Sequence, residues 1–313
     1  MISSDFLNPL NSKKLVLMDK YFDEMIALYN SKKFPKVLLL NGKKGIGKLT
    51  LTIHFLNYIF SKNETEPYDL KNKQINTDSI FYNQLLNQNN QDVLFIESKE
   101  NKNIKIEDIR NLKTTLSISS LSTNPRFTII DEVEYLNQNS ANALLKTLEE
   151  PTNNNFFILI NNQQADLLKT ISSRCVIYNI FLNSGETESI INFLLQNNKI
   201  ENLMNFNENL TTGQFLRFNE IYLNLNIEEN ENISSKIDKL LTAYKRKKDK
   251  IFVNLTLFLI DQYFLQLIQT NENKLDFLLN LKSDLINNIN DFIYYNLNIN
   301  SVLTSIDGML KNV

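Results

Sequence analysis

Residues 37–50, Val37-Leu38-Leu39-Leu40-Asn41-Gly42-Lys43-Lys44-Gly45-Ile46-Gly47-Lys48-Leu49-Thr50, restrict the fold more than any other stretch. The apolar run 37–40 reads as a buried parallel strand. It breaks into a loop with three glycines and then into an apolar, helix-like segment, 51–60. That order is the setting of a phosphate-binding loop. Gly42, Gly45 and Gly47 let successive N–H groups turn into one concavity. The following helix adds the positive end of its dipole, and Lys48 reaches toward the outer phosphates. The full pattern is Gly-x-x-x-x-Gly-Lys followed by Ser or Thr, and Gly42, Gly47 and Lys48 match it. Leu49 stands where a hydroxyl ordinarily binds Mg²⁺. Thr50 carries one a residue later, about 100° round the helix. Three readings stay open here: a loop that binds nucleotide, one that also hydrolyses it, and a glycine-rich turn that binds nothing.

The chain has 313 residues, room for about two domains or three smaller ones. Hydrophobic content of 42% and charged content of 22% are ordinary for a soluble globular protein. A net charge of -2 does not indicate a strongly basic nucleic-acid-binding domain. The single cysteine, Cys175, excludes a disulfide framework and a cysteine-based zinc site, so no zinc is expected. It fits a reducing cytosol. Residues 1–10 contain Asp5, Asn8 and Pro9 and lack a signal-peptide core. The most apolar run, 255–268, is shorter than a membrane span and contains Asp261, so it reads as a core helix. A cytoplasmic protein with no membrane partner is expected.

Apolar spacing predicts a helix over 15–29, with Leu17, Tyr21, Met25 and Leu28 at close to helical intervals. Residues 61–90 read as a polar surface excursion with one helix, 92–97 as a strand, 105–116 as a helix, and 117–125 as a loop. In 126–132 the apolar Phe127, Ile129 and Ile130 form a strand that ends in Asp131 and Glu132. Ligands of open α/β sheets bind at that strand end. In a nucleotide hydrolase Asp131 would hold Mg²⁺ and Glu132 would orient the attacking water. Read alone, adjacent acids merely end a strand; after a phosphate loop, the functional arrangement is favoured. A helix over 139–150 turns Leu144, Leu145 and Leu148 inward and is stopped by Pro151. Residues 156–160 form another strand, ending in Asn161, which either touches a γ-phosphate or simply ends the strand. A helical turn over 167–171 leads to Ser173-Arg174-Cys175 and a last strand, 176–180. Beyond 183 strands cease: one amphipathic helix over 186–196, two more up to about 226, and helices throughout 233–311. The basic run Lys245-Arg246-Lys247-Lys248 reads first as a solvated helix C-terminus and second as a phosphate contact.

Asn142-Ala143-Leu144-Leu145-Lys146-Thr147-Leu148-Glu149-Glu150-Pro151, followed by Ser173-Arg174-Cys175, resembles the clamp-loader branch of the AAA+ ATPases. Within that branch the chain is most similar to the delta-prime type of subunit of bacterial DNA polymerase III. Residues 34–40, 92–96 and 106–110 resemble that type, as does Gly45-Ile46-Gly47-Lys48-Leu49-Thr50 with its displaced Thr. Gly213-Gln214-Phe215-Leu216-Arg217 is a weaker likeness to the sensor-2 segment of the lid.

The resemblance implies an α/β P-loop domain with a parallel sheet over 1–181, a small helical lid over 182–228, and an all-α collar over 229–313. It implies a hetero-oligomeric ring, with ATPase (tau/gamma) and delta subunits as partners, that loads the sliding clamp on primed DNA. Arg174 would be an arginine finger supplied in trans to a neighbour's ATP, and Cys175 a packing residue. Gly42, Gly45, Gly47, Lys48, Thr50, Asn161 and Arg217 would hold ATP, with Mg²⁺ at Asp131, in a degenerate site of the chain's own. ATPase subunits of this branch usually carry a cysteine-bound zinc module, which one cysteine cannot supply. The alternative is a self-sufficient ATPase running on Lys48, Asp131 and Glu132.

Overall fold

A computed structural model describes residues 4–98, 103–117, 124–152, 154–270 and 274–311. They fall into two compact units, 4–200 with 206–216, and 201–205 with 217–311.

The first unit is built on five parallel strands. In chain order it runs α1 (Asp19–Asn30), β1 (Val37–Asn41), α2 (Lys48–Phe60), α3 (Ile80–Leu86), β2 (Val93–Ile96), α4 (Ile106–Ser117) and β3 (Arg126–Asp131). It continues through α5 (Gln138–Glu149), β4 (Asn155–Asn161), α6 (Lys169–Ser172), β5 (Val176–Asn179) and α7 (Ser184–Asn197). The strand order is β2-β3-β4-β1-β5, and each paired neighbour is parallel.

Alternation along the strands explains the layers. Leu38, Leu40, Phe127, Ile129, Ile158 and Ile160 face one core with α1, α2 and α3. Val37, Leu39, Ile130, Phe157 and Leu159 face a second core with α4 and α5. Both faces are covered, so the strands read as continuous apolar runs. The first core is rich in aromatics, with Phe34 stacked on Phe55 at 5.0 Å and Phe127 on Phe156 at 5.1 Å between ring centroids. The helices after β1 and β3 pack on opposite faces, which opens a crevice at the C-terminal ends of the strands.

Three expectations are corrected. Leu17 has φ 53° and is exposed, so α1 begins at Asp19; Leu28 is also exposed, and Phe22, Met25 and Ile26 form the inward face. Residues 61–90 are no surface excursion, for Tyr68, Ile75, Phe81, Tyr82 and Leu85 are buried. Phe81 stacks on Phe60 at 4.7 Å, and the Tyr82 hydroxyl donates to Leu10 O at 3.0 Å. Isolated large rings anchor a stretch whose average polarity suggested the surface. Between α7 and residue 226 there is one helix, α8 (Thr212–Leu225), where two were expected. Asn219 replaces the second by holding an irregular segment: its Oδ1 accepts from Leu203 N at 2.8 Å and its Nδ2 donates to Glu201 O at 2.7 Å. Leu144, Leu145 and Leu148 of α5 do turn inward, Leu145 half-buried against the second core beside the fully buried Ala141. The loop expected over 117–125 lies largely outside the described residues.

The second unit is helical: α9 (Ile233–Lys247), α10 (Lys250–Thr270), α11 (Leu275–Tyr295) and α12 (Ile299–Leu310). α9 packs on α10 and α12, and α11 on α10 and α12. α10 is long and apolar enough to cross a membrane by length and composition, which the shorter run 255–268 had put out of reach. Phe252, Leu255, Ile260 and Phe264 of α10 are buried, and Asp261 pairs with Lys282 at 2.7 Å.

Candidate functional site

The glycine loop sits at the C-terminal end of β1, between the ends of β4 and β5. Gly42 is buried, and a Cβ there would lie 2.6 Å from Ile180 O. Gly45 and Gly47 have φ of +87° and +99°, backbone that favours glycine. Thr211 Oγ1 donates to Lys44 O at 2.7 Å, and Gly213 N donates to Gly45 O at 2.8 Å, so residues 211–213 clasp the loop. A Cβ on Gly45 would stand 2.7 Å from Thr211 Oγ1.

Lys48 is 2% exposed and folds back on its own loop, donating to Gly42 O at 2.7 Å and Lys43 O at 2.8 Å. Burial lowers its pKa to about 8 against the opposing pull of Asp131 and Glu134. Leu49 packs on the apolar core beneath α2, so no hydroxyl occupies the usual magnesium position. Thr50 is half-buried. The loop and Lys48 fit a phosphate. The metal half does not fit: Leu49 offers no hydroxyl, and Asp131 already accepts from Glu132 N and Asn162 Nδ2.

The acids at the end of β3 are engaged. Asp131 Oδ1 accepts from Glu132 N at 2.8 Å and Asn162 Nδ2 at 3.0 Å. Burial pushes its carboxyl above the usual range, and those two bonds work against the rise. Glu132 has a left-handed backbone, φ 56°, and pairs with Lys44 at 2.5 Å. Buried Glu134 accepts from Asn162 N at 3.0 Å and Gln164 N at 3.4 Å, which shapes the turn after β4. Asn161 donates to Asn41 Oδ1 at 2.9 Å, and Asn41 donates to Asn179 Oδ1 at 2.7 Å. Three adjacent strands thus end in a row of bonded amides. Sequence reasoning missed Lys44, Glu134, Asn41, Asn162 and Asn179. One signal was available: three apolar runs each end in Asn, and the register aligns Asn41 with both Asn161 and Asn179.

Arg174 stands elsewhere. β5 starts at Val176, opposite Leu38, and ends at Asn179, opposite Asn41. Arg174 therefore precedes the strand at the sheet's N-terminal edge, while the glycine loop follows β1 at the C-terminal edge. Four strand residues at about 3.3 Å each put about 13 Å of strand between the two edges. Its guanidinium is held by Glu149, with Nε 2.7 Å from Oε1 and Nη2 on the same oxygen, and Nη1 donates to Thr170 O at 2.8 Å. Glu149 ends α5, so the helix string and the Ser-Arg-Cys segment meet here. The Cys175 thiol donates to Ile171 O at 3.1 Å and is pushed up to about 12 by burial, as suits a packing residue. Arg217 is exposed on α8 and belongs to the helical unit.

Strand, glycine loop and helix on a parallel sheet covered on both faces define a P-loop α/β protein. The family model described as DNA polymerase III, delta subunit, matches residues 18–183, more than half of the chain, and the chain belongs to that family. DNA polymerase III subunit delta' of Buchnera aphidicola subsp. Schizaphis graminum (strain Sg) is 30% identical over 188 residues, covering 59% of this chain and 54% of that protein. The delta' subunit of Bacillus subtilis (strain 168) is 30% identical over 155 residues, covering 48% of this chain and 44% of that one. The chain thus spans about half the length of the curated relatives it matches. Among solved structures, a DNA polymerase III gamma subunit-related protein from Thermotoga maritima aligns with a TM-score of 0.46 at 20% identity, over 91% of this chain and 97% of that one.

Proposed function

We propose that this chain is a clamp-loader subunit of a replicative DNA polymerase holoenzyme, a stator that supplies Arg174 in trans to ATP held by a neighbouring subunit. The observation that carries the reading is the position of Arg174 at the sheet edge opposite the chain's own phosphate loop. From there a guanidinium serves another subunit's nucleotide more readily than its own. Its planar donors would be set against charge developing on a γ-phosphoryl group. Glu149 fixes the side chain in advance.

On this reading residues 182–228 act as a lid and 229–313 as a collar in a ring with ATPase (tau/gamma) and delta subunits. The ring works in the cytoplasm and places the sliding clamp on primed DNA. The chain's own loop takes at most a nucleotide through Gly42, Gly45, Gly47 and Lys48 and does not turn it over. Leu49 packs half-buried against the core, Glu132 is paired with Lys44, and Asp131 is bonded to Asn162.

The test is Arg174→Ala in the reconstituted ring. ATP turnover by the ring should fall by about 10³-fold, the scale of an arginine finger. The thermal midpoint of the isolated variant should barely move, because an exposed ion pair contributes at most about 1 kcal/mol. An unchanged ring rate defeats the proposal. Lys48-dependent single-turnover hydrolysis by the isolated chain would favour the self-sufficient ATPase instead.

A further inference from the structure

The basic run 245–248 ends α9, where Lys248 caps the helix in a left-handed conformation. The fold brings the end of α11 beside it. Lys245 Nζ donates to Leu297 O at 3.1 Å, and Lys248 Nζ donates to Asn296 Oδ1 at 3.1 Å. Immediately before Asn296 stand Tyr294 and Tyr295, 81% and 65% exposed, their rings edge to face at 4.8 Å. Large side chains so exposed, adjacent and beside a cluster of cations are poor candidates for core packing. Arg217 of α8 and Lys247 at the end of α9 both bear on the Glu220 carboxyl of α8. Residues 245–250 carry five cations and one carboxylate, Asp249, and residues 291–297 carry one carboxylate, Asp291. Asp249 is occupied as a cap, accepting from Ile251 N at 3.0 Å.

We propose that the end of the helical unit formed by residues 245–250 and 294–297 is a platform for a single-stranded polynucleotide, whose bases stack on Tyr294 and Tyr295 while its phosphates lie along Arg246, Lys247 and Lys250. The chemistry selects this occupant. A chain of phosphates satisfies the cations, and unpaired bases supply the flat faces that exposed rings take up. A duplex keeps its bases stacked and offers no such face, and an acidic peptide offers charge without stacking. Lys245 and Lys248, tied to the end of α11, hold the two helix ends together. The platform lies within the residues proposed as a collar, and it rests on none of the residues that carry the Arg174 reading.

The full chain is titrated at low salt into fluorescein-labelled oligo(dT) and oligo(rU) of about 20 nucleotides, longer than a single-module site. A duplex of equal length and anionic phosphatidylglycerol vesicles are the comparisons. Single strands should bind, with dT the tighter if DNA is the ligand and rU the tighter if RNA is. Tyr294→Ala and Tyr295→Ala should each weaken binding about fivefold or more. Lys247→Ala should lower the slope of log K against log salt by about 0.7. The chain has no tryptophan, so Tyr295→Trp gives a single reporter whose emission should be quenched by the oligonucleotide. Arg174→Ala should bind as the parent does. Equal affinity for duplex, indifference to both Tyr→Ala changes, or binding to vesicles alone would each overturn the platform. These tyrosines are exposed, so the variants keep the parent's circular dichroism and loss of binding is not loss of fold.

Discussion

Lys48 makes a measurable demand on the fold. Its ammonium is almost wholly removed from water and is compensated by two loop carbonyls and by Asp131 and Glu134 nearby. Compensation is incomplete, and the pKa falls from 10.5 to about 8. Each pKa unit is worth about 1.4 kcal/mol, so the charged lysine opposes folding by about 3 kcal/mol. Below pH 8 the side chain is charged in both states and that opposition is fully present. Between pH 8 and 10.5 the unfolded chain holds more protons than the folded one, so stability rises with pH. Above pH 10.5 the lysine is neutral in both states and the opposition is gone. The perturbation is Lys48→Met, which keeps the length and removes the titration. Its lost hydrogen bonds change stability by an amount that does not depend on pH. Urea unfolding of both proteins from pH 7 to 10.5 should therefore show the parent gaining about 3 kcal/mol on the variant. A constant difference between them across that range would refute the claim that the charge is desolvated in the loop.

His54 should act at the acid end. It is buried with both ring nitrogens used, Nδ1 at 2.9 Å from the Tyr68 hydroxyl and Nε2 at 2.8 Å from Ser12 O, and burial lowers its pKa from 6.5 to about 4. The unfolded chain takes up a proton that the folded chain refuses, so stability falls by about 3 kcal/mol as pH drops from 6.5 to 4. His54→Gln should flatten that part of the profile in urea unfolding. Alanine at two glycines should have opposite effects on the thermal midpoint. Gly45→Ala meets a left-handed backbone and the Thr211 hydroxyl, and should cost more than about 2 kcal/mol. Gly308→Ala, in open space within α12, should stabilise by about 0.5–1 kcal/mol.

The strands and the loop were legible because each is a local pattern with one reading. A run such as 156–160 is apolar on both faces only if both are covered, and the glycines of 42–47 mark a turn between strand and helix. The segment 61–90 was not legible, because a few buried rings among many polar residues carry no period. Its core contacts run to Phe60 and Leu10, which only the tertiary structure brings near. The phosphate loop was legible as a loop, but its partners were not. Thr211 is far away in sequence, and the pairing of Lys44 with Glu132 depends on a left-handed residue at 132 that two adjacent acids do not announce. The basic run 245–248 was read without aromatic neighbours because Tyr294 and Tyr295 reach it only through the bundle.

These partnerships bear on what the loop does now. In a working hydrolase, the lysine, the first acid and the second acid are each held ready for something outside the protein. Here each has an internal partner: Lys48 its own loop carbonyls, Asp131 the amide of Asn162, Glu132 the ammonium of Lys44. The clasp by residues 211–213 uses the carbonyls of Lys44 and Gly45 as well. Turnover would require several of these bonds to break together, each buried bond left unmade costing about 1–3 kcal/mol. Arg174 is held differently. Its partner Glu149 is about half exposed, so exchanging that carboxylate for a phosphate oxygen takes place at the water's edge and not in the core. Reactive groups turned inward at one sheet edge, with a guanidinium held by a partly exposed carboxylate at the other, are what the proposed trans role of Arg174 would require.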